Sequence, residues 1–277
     1  MRIAVASHSG LGPKAGSGAP VTIRGGAGPV SATLVFAGRS MLKIRHVPEE
    51  LGDVIGIPIL FTLMFTYLFG GALAGSTGRY LQTLLPGTLV LAVVMVSLYT
   101  GVTLNTDLST GVFDRFRSMP IWRPAPIVGA LIGDSARYLL ASTLVIGLGL
   151  LMGFDPRGGA AGLLVGVGLL LLFASGLGWV WTAIALIARS PRAIMSVGMT
   201  ILFPLTFASN VFVAPRTLPG WLQAFVTMNP VSHLVTVERA LVAGSASQGQ
   251  IVWVLGATAA LTVTFAPLTT YLYRRHT

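Results

Sequence analysis

Six apolar runs, at 51–73, 81–104, 126–152, 162–188, 194–213 and 251–273, constrain this chain more than anything else in it. A helix rises about 1.5 Å per residue, so about 20 residues cross a hydrocarbon core ~30 Å thick. Each run is long enough to span a bilayer with some tilt. Only 9% of the 277 residues are charged, against about 25% in a soluble domain. No hydrophilic stretch is long enough for a large soluble catalytic domain. The expected fold is all-α and integral to the membrane, with six transmembrane helices.

The net charge of +10 would suggest nucleic acid in a soluble protein. Its distribution points instead to membrane orientation. With the amino terminus inside, thirteen Lys and Arg fall on inside segments and four (Arg79, Arg157, Arg216 and Arg239) outside, while Arg137 lies within the third run. Basic residues collect in cytoplasmic loops, so the count predicts a multi-pass cell-membrane protein with both termini cytoplasmic. Cysteine is absent, which removes a disulfide framework, a thiolate nucleophile and cysteine metal sites.

Residues 1–30 are rich in Gly, Ala, Pro and Ser without an apolar core, and read as a flexible cytoplasmic tail rather than a signal peptide. The membrane domain then occupies 31–277. Within 31–47, Leu34, Val35, Met41, Leu42 and Ile44 interleave with Arg39, Lys43, Arg45 and His46. That pattern predicts a basic amphipathic helix at the membrane surface, ended near Pro48.

Two connecting segments carry more information than the spans. The first, 105–120, joins the second and third runs on the cytoplasmic side. Asp107 and Ser109 can cap a short helix by accepting its free N–H groups, and Pro120 blocks simple continuation into the next span. Phe113 and Phe116 share a face there, while Asp114, Arg115 and Arg117 place charge on others. An ordinary basic turn has similar composition, but paired aromatics with mixed charge suit a docking surface. The second, 210–244, is broken by Pro215, Pro219 and Pro230, and Trp221, Leu222 and Phe225 form an apolar stripe at helical spacing. It reads either as two short helices re-entering the outer leaflet, with Trp221 at the interface, or as a loop helix lying flat on it.

At these two segments the sequence resembles ABC-2 type permeases, in the branch of daunorubicin- and doxorubicin-resistance exporters. Gly111, Phe113, Asp114, Arg115, Phe116, Arg117, Ser118, Met119 and Pro120 are similar to that family's cytoplasmic coupling helix. Pro215, Pro219 and Trp221, with Asn229, Pro230 and the later Arg239-Ala-Leu, resemble its connector between the fifth and sixth spans. Arg45-His-Val-Pro48 fits as well, and the likeness covers about 35–275. It implies a permease subunit that pairs with a second copy or a related chain and docks on two copies of a separate ATP-binding subunit. ATP and Mg would sit on that partner, and the re-entrant helices would close the extracellular end of the path. The implied cargo is a hydrophobic or amphipathic small molecule. A lipid-linked glycan or other lipid is the alternative cargo.

Other chemistry finds little support. A phosphate loop needs Gly-x-x-x-x-Gly-Lys-Ser/Thr, and neither Lys14 nor Lys43 follows that pattern. No two of His8, His46, His233 and His276 share a helix at metal-ligand spacing, so no metal site is expected. Asp134 and Arg137, three apart near the start of the third run, are the best intramembrane polar pair, read as a structural ion pair near the cytoplasmic interface or as a gating or substrate contact. An ion-coupled secondary transporter is a further alternative, but it wants acids at mid-membrane depth. All eight acids fall at run ends or in loops. Gly-x-x-x-Gly pairs such as Gly129/Gly133, Gly149/Gly153 and Gly162/Gly166 can mark close packing, but with 34 glycines present they select no interface.

Overall fold

The computed structural model describes residues 48–110, 125–212 and 218–275, together with 33, 35, 37 and 38. Among these residues the protein is all-helical. In chain order the helices are α1 (Pro48–Ala74), α2 (Thr77–Ser109), α3 (Ala125–Leu151), α4 (Gly159–Ile187), α5 (Pro191–Phe207), α6 (Gly220–Met228), α7 (Pro230–Ala243) and α8 (Gln248–Arg275). Four of them, α2, most of α3, α4 and α8, are long and apolar enough to cross a membrane. Residues 58–72 of α1 and all of α5 form shorter apolar helices.

The helix ends follow from local chemistry. Ser76 is extended and accepts from the Arg79 N–H, starting α2. Ser190 does the same for Ala193, with Pro191 at the first helical position of α5, where a missing N–H costs nothing. Gly244, at φ 73°, closes α7 in the left-handed conformation that glycine tolerates best.

The structure corrects the expected role of two residues at the end of α2. Asp107 and Ser109 do not begin a new helix: both lie in the last turn of α2. The Ser109 hydroxyl donates back to the Thr106 carbonyl, and the Thr110 hydroxyl does likewise. The Thr110 hydroxyl also reaches the Asp107 carbonyl at 3.3 Å, which the helix end would otherwise leave open. The fifth run also ends earlier as helix than its apolar length suggests, at Phe207 rather than 213.

The central element is α2, buried along most of its length against α1, α3, α4, α5 and α7. Several of its polar residues bond within the bundle. Ser97 donates to the Val94 carbonyl and accepts from the Trp181 indole at 2.9 Å. Asn105 reaches the carbonyls of Ala185 and Ala188 at the end of α4. A Cβ at Gly101 would stand 2.9 Å from the Trp181 carbonyl, so the α2–α4 crossing requires glycine at that point. By contrast, α8 packs chiefly on α4 and leaves Val252, Leu255, Val263 and Leu268 exposed. An outward apolar face of this kind suits lipid.

Of the amino-terminal segment, Thr33 and Ala37 are helical and buried while Val35 is exposed. That four-residue spacing marks one helix face. The tail 1–30 and residues 39–47 lie outside the described residues.

Candidate functional site

Where α1, α2 and α5 meet, their side chains leave an apolar cavity of about 200 Å³. Pro58 and Phe61 come from α1, Leu91, Ala92, Met95, Val96 and Tyr99 from α2, and Met199, Phe203 and Phe207 from α5. Phe203 is 58% exposed and Met199 41%, so the mouth opens sideways through α5. Beside the cavity runs an aromatic cluster. Phe203 and Phe207 stack at 4.4 Å between centroids, and Phe65 and Phe212 at 4.4 Å. Phe61 meets Phe65 at 5.6 Å and Phe207 at 5.9 Å. Offset and edge-on ring pairs of this kind hold a flat apolar guest well, and thioethers adapt to its outline. None of these lining residues stands out in the sequence by composition. The signal was present in the four-residue spacing of Phe61, Phe65 and Phe69 and of Phe203 and Phe207, which places each set on one helix face.

Asp134 and Arg137 form an ion pair at 3.2 Å, both buried, and Arg137 also donates to Thr103 at 3.3 Å. One turn of α2 away, Thr100 and Tyr138 hydroxyls are 3.0 Å apart. The pair thus ties α3 to the end of α2 that leads into residues 111–120. Those coupling residues, Gly111, Phe113, Asp114, Arg115, Phe116, Arg117, Ser118, Met119 and Pro120, lie outside the described residues.

At the opposite end, the segment between α5 and α8 folds into two short helices, α6 and α7. Pro215 lies outside the described residues. Pro219 precedes α6, and Trp221 is 75% exposed on it. Asn229 has a role that the sequence did not reveal. Its carboxamide oxygen accepts from Val231, capping α7, while its nitrogen donates to the carbonyls of Leu205 and Ala208. With Pro230 at the first helical position, one residue closes α5 and opens α7. His233 stacks on Trp253 at 3.8 Å, joining α7 to α8.

The α4–α7 contact depends on Gly162 and Gly166, one of three pairs left undecided by spacing alone. A Cβ at Gly162 would strike the Leu241 carbonyl, and one at Gly166 the Glu238 carboxyl. Glu238 is 1% exposed, and its Oε1 takes no hydrogen bond among the described residues. Helix α7 has 14 residues, too short to cross a ~30 Å core. Burial pushes the Glu238 carboxyl up from 4.5 to about 8. Folding therefore takes up a proton between those two values. Stability is greatest below the lower one and declines as pH rises toward the upper. Thermal melts of the wild-type protein should lose several degrees between pH 5 and 8, and Glu238→Gln should remove that slope. Parallel slopes in the two proteins would contradict the buried neutral carboxyl.

These features define a multi-pass helical membrane protein with a hydrophobic cavity open to one side. The sequence narrows the class: the ABC-2 type transporter family matches residues 32–242, and the chain belongs to that family. It is 47% identical over 245 residues to the daunorubicin resistance ABC transporter permease protein DrrB1 of Streptomyces coeruleorubidus, covering 88% of this chain and 87% of the relative. It is 23% identical over 233 residues to a probable doxorubicin resistance ABC transporter permease protein, DrrC, of Mycobacterium tuberculosis, with 82% and 84% covered. A putative transport permease, ycf38, of Cyanophora paradoxa is 23% identical over 216 residues, with 76% and 74% covered.

Proposed function

We propose that this chain is the membrane-spanning permease subunit of an ATP-driven exporter that moves a hydrophobic, drug-like small molecule out of the cell. The observation that carries this reading is the aromatic and methionine-lined cavity between α1, α2 and α5, in a chain 47% identical to a daunorubicin resistance permease. Concave apolar sites with few polar groups suit such ligands. In this reading α1, α2, α3, α4, α5 and α8 are the six spans, both termini are cytoplasmic, and α6 and α7 cap the outer end.

The chain carries no phosphate loop of its own, so ATP and Mg belong to a separate subunit. Two copies of that subunit grip residues 107–120 of a pair of permeases. Their closure on ATP shifts the pair from inward-open to outward-open forms, a population shift driven by the difference in docking energy. Phe113 and Phe116 anchor the contact, while Asp114, Arg115 and Arg117 make its charged bonds. The Asp134–Arg137 pair transmits the movement from α2 to α3.

Cells co-expressing the permease and its ATP-binding subunit should accumulate less of a fluorescent anthracycline than cells lacking either one. Equal accumulation in all three strains, with both proteins present in the membrane, would remove the drug-export reading.

A further inference from the structure

We propose that the cavity at the far end of the bundle from the coupling segment is a phosphate-binding site, fitted to the headgroup phosphate of an anionic lipid. The cavity measures about 320 Å³ and is bordered by three arginines from three different elements. Arg79 comes from the first turn of α2, Arg157 from the α3–α4 loop and Arg239 from α7. The carboxylate on its rim is Asp155, so two positive charges remain in surplus. None of these four side chains forms an ion pair among the described residues.

The frame of the cavity is fixed. Gln82 donates to the Gly153 carbonyl and accepts from the Asp155 N–H, both at 3.2 Å, which ties the loop to α2. The Gly158 N–H donates to the Val242 carbonyl at 2.6 Å, tying the same loop to α7. Arg239 spends Nε on the Thr83 carbonyl and Nη2 on the Val211 carbonyl, both at 2.8 Å. That leaves its guanidinium held in place beside two exposed arginines that are free to close on a guest.

Charge placement makes the convergence informative. Basic residues are scarce on the outer side of a membrane protein, and the sequence assigns four arginines to it. Three of those four border this one cavity. Like charges brought together without counter-ions repel, and a phosphate relieves the repulsion. The guanidinium fork also matches phosphate oxygens two at a time. The site lies at the end of apolar helices, where lipid headgroups supply that anion. Phosphate recognition rests on this geometry alone. Only the choice of leaflet rests on the orientation proposed above, so a binding test in detergent succeeds or fails independently of the export reading.

The test uses the full-length permease in uncharged detergent, titrated with short-chain phosphatidylglycerol, with short-chain phosphatidylcholine and with inorganic phosphate, and read by melting temperature and native mass spectrometry. Wild-type protein should show a saturable rise in melting temperature and one retained phosphatidylglycerol. The double variant Arg79→Gln/Arg157→Gln should weaken this affinity about tenfold, with an unchanged melting temperature before lipid is added. Asp155→Asn should strengthen it several-fold. A response to phosphatidylglycerol alone assigns the site to an anionic headgroup. A response to inorganic phosphate as well assigns it to the phosphate group itself. No saturable response to either, or an equal response in the double variant, would overturn the proposal.

Discussion

Asp114→Lys should leave the permease in the membrane and let its ATP-binding partner continue to hydrolyse ATP, while export falls at least tenfold. Residues 111–120 combine two aromatics with Asp114, Arg115 and Arg117. The aromatics supply contact area and the charges set register, because electrostatic complementarity governs which surfaces dock and how. Replacing the carboxylate by an ammonium makes every charge from 114 to 117 positive and sets like against like where the partner offers a cation. Like-charge contacts at an interface cost several kcal/mol, enough to lose force transmission without loss of the apolar anchor. Membrane fractions should therefore contain the variant at normal abundance. Vesicle export and ATPase activity, measured together, should separate. Normal export by Asp114→Lys would show that the segment does not couple the two subunits.

The second large effect is expected at Phe207. It lines the cavity and touches Phe203 at 4.4 Å and Phe212 at 5.4 Å. Truncation to alanine removes a ring that contributes about 1.5–3 kcal/mol of apolar contact to a bound guest. The substrate concentration for half-maximal export should rise about ten- to a hundredfold. Basal ATP hydrolysis should stay near its wild-type rate, because Phe207 lies on α5, far in sequence from the coupling segment that follows α2. Phe207→Leu should recover part of the affinity by restoring bulk without the aromatic face. Export with unchanged concentration dependence in Phe207→Ala would place the substrate elsewhere.

How much of this was legible in the sequence depends on the range of the forces involved. The long apolar runs located α1, α3, α4 and α8 to within about three residues at each end, because hydrophobicity over a helix length is a local property. Proline and asparagine at 229–230 marked a break between short helices for the same reason. The ends of α2 and α5 were missed because side chains decide them. Hydroxyls of Ser109 and Thr110 close the last turn of α2 on the Thr106 and Asp107 carbonyls. Asn229 terminates α5 from 21 and 24 residues away. No periodicity reports a bond of that reach.

Contacts between helices were less visible still. Gly162 and Gly166 looked like chance among many glycines until α7 was seen against them, carrying the Leu241 carbonyl and the Glu238 carboxyl to within a methyl group of α4. The cavity needed three helices brought together, and its phenylalanines are unremarkable in isolation. The Asp134–Arg137 contact was easier, since residues three apart on a helix lie on one side.

Energy supply is the claim on which the rest depends, and vesicles test it most directly. Purified permease should be sealed into liposomes with and without the ATP-binding subunit. Uptake of a fluorescent anthracycline would then be followed under ATP, under a proton gradient and under a sodium gradient. Transport is expected only where the second subunit and ATP are both present. Transport by the permease alone on an ion gradient, with no nucleotide, would contradict the account.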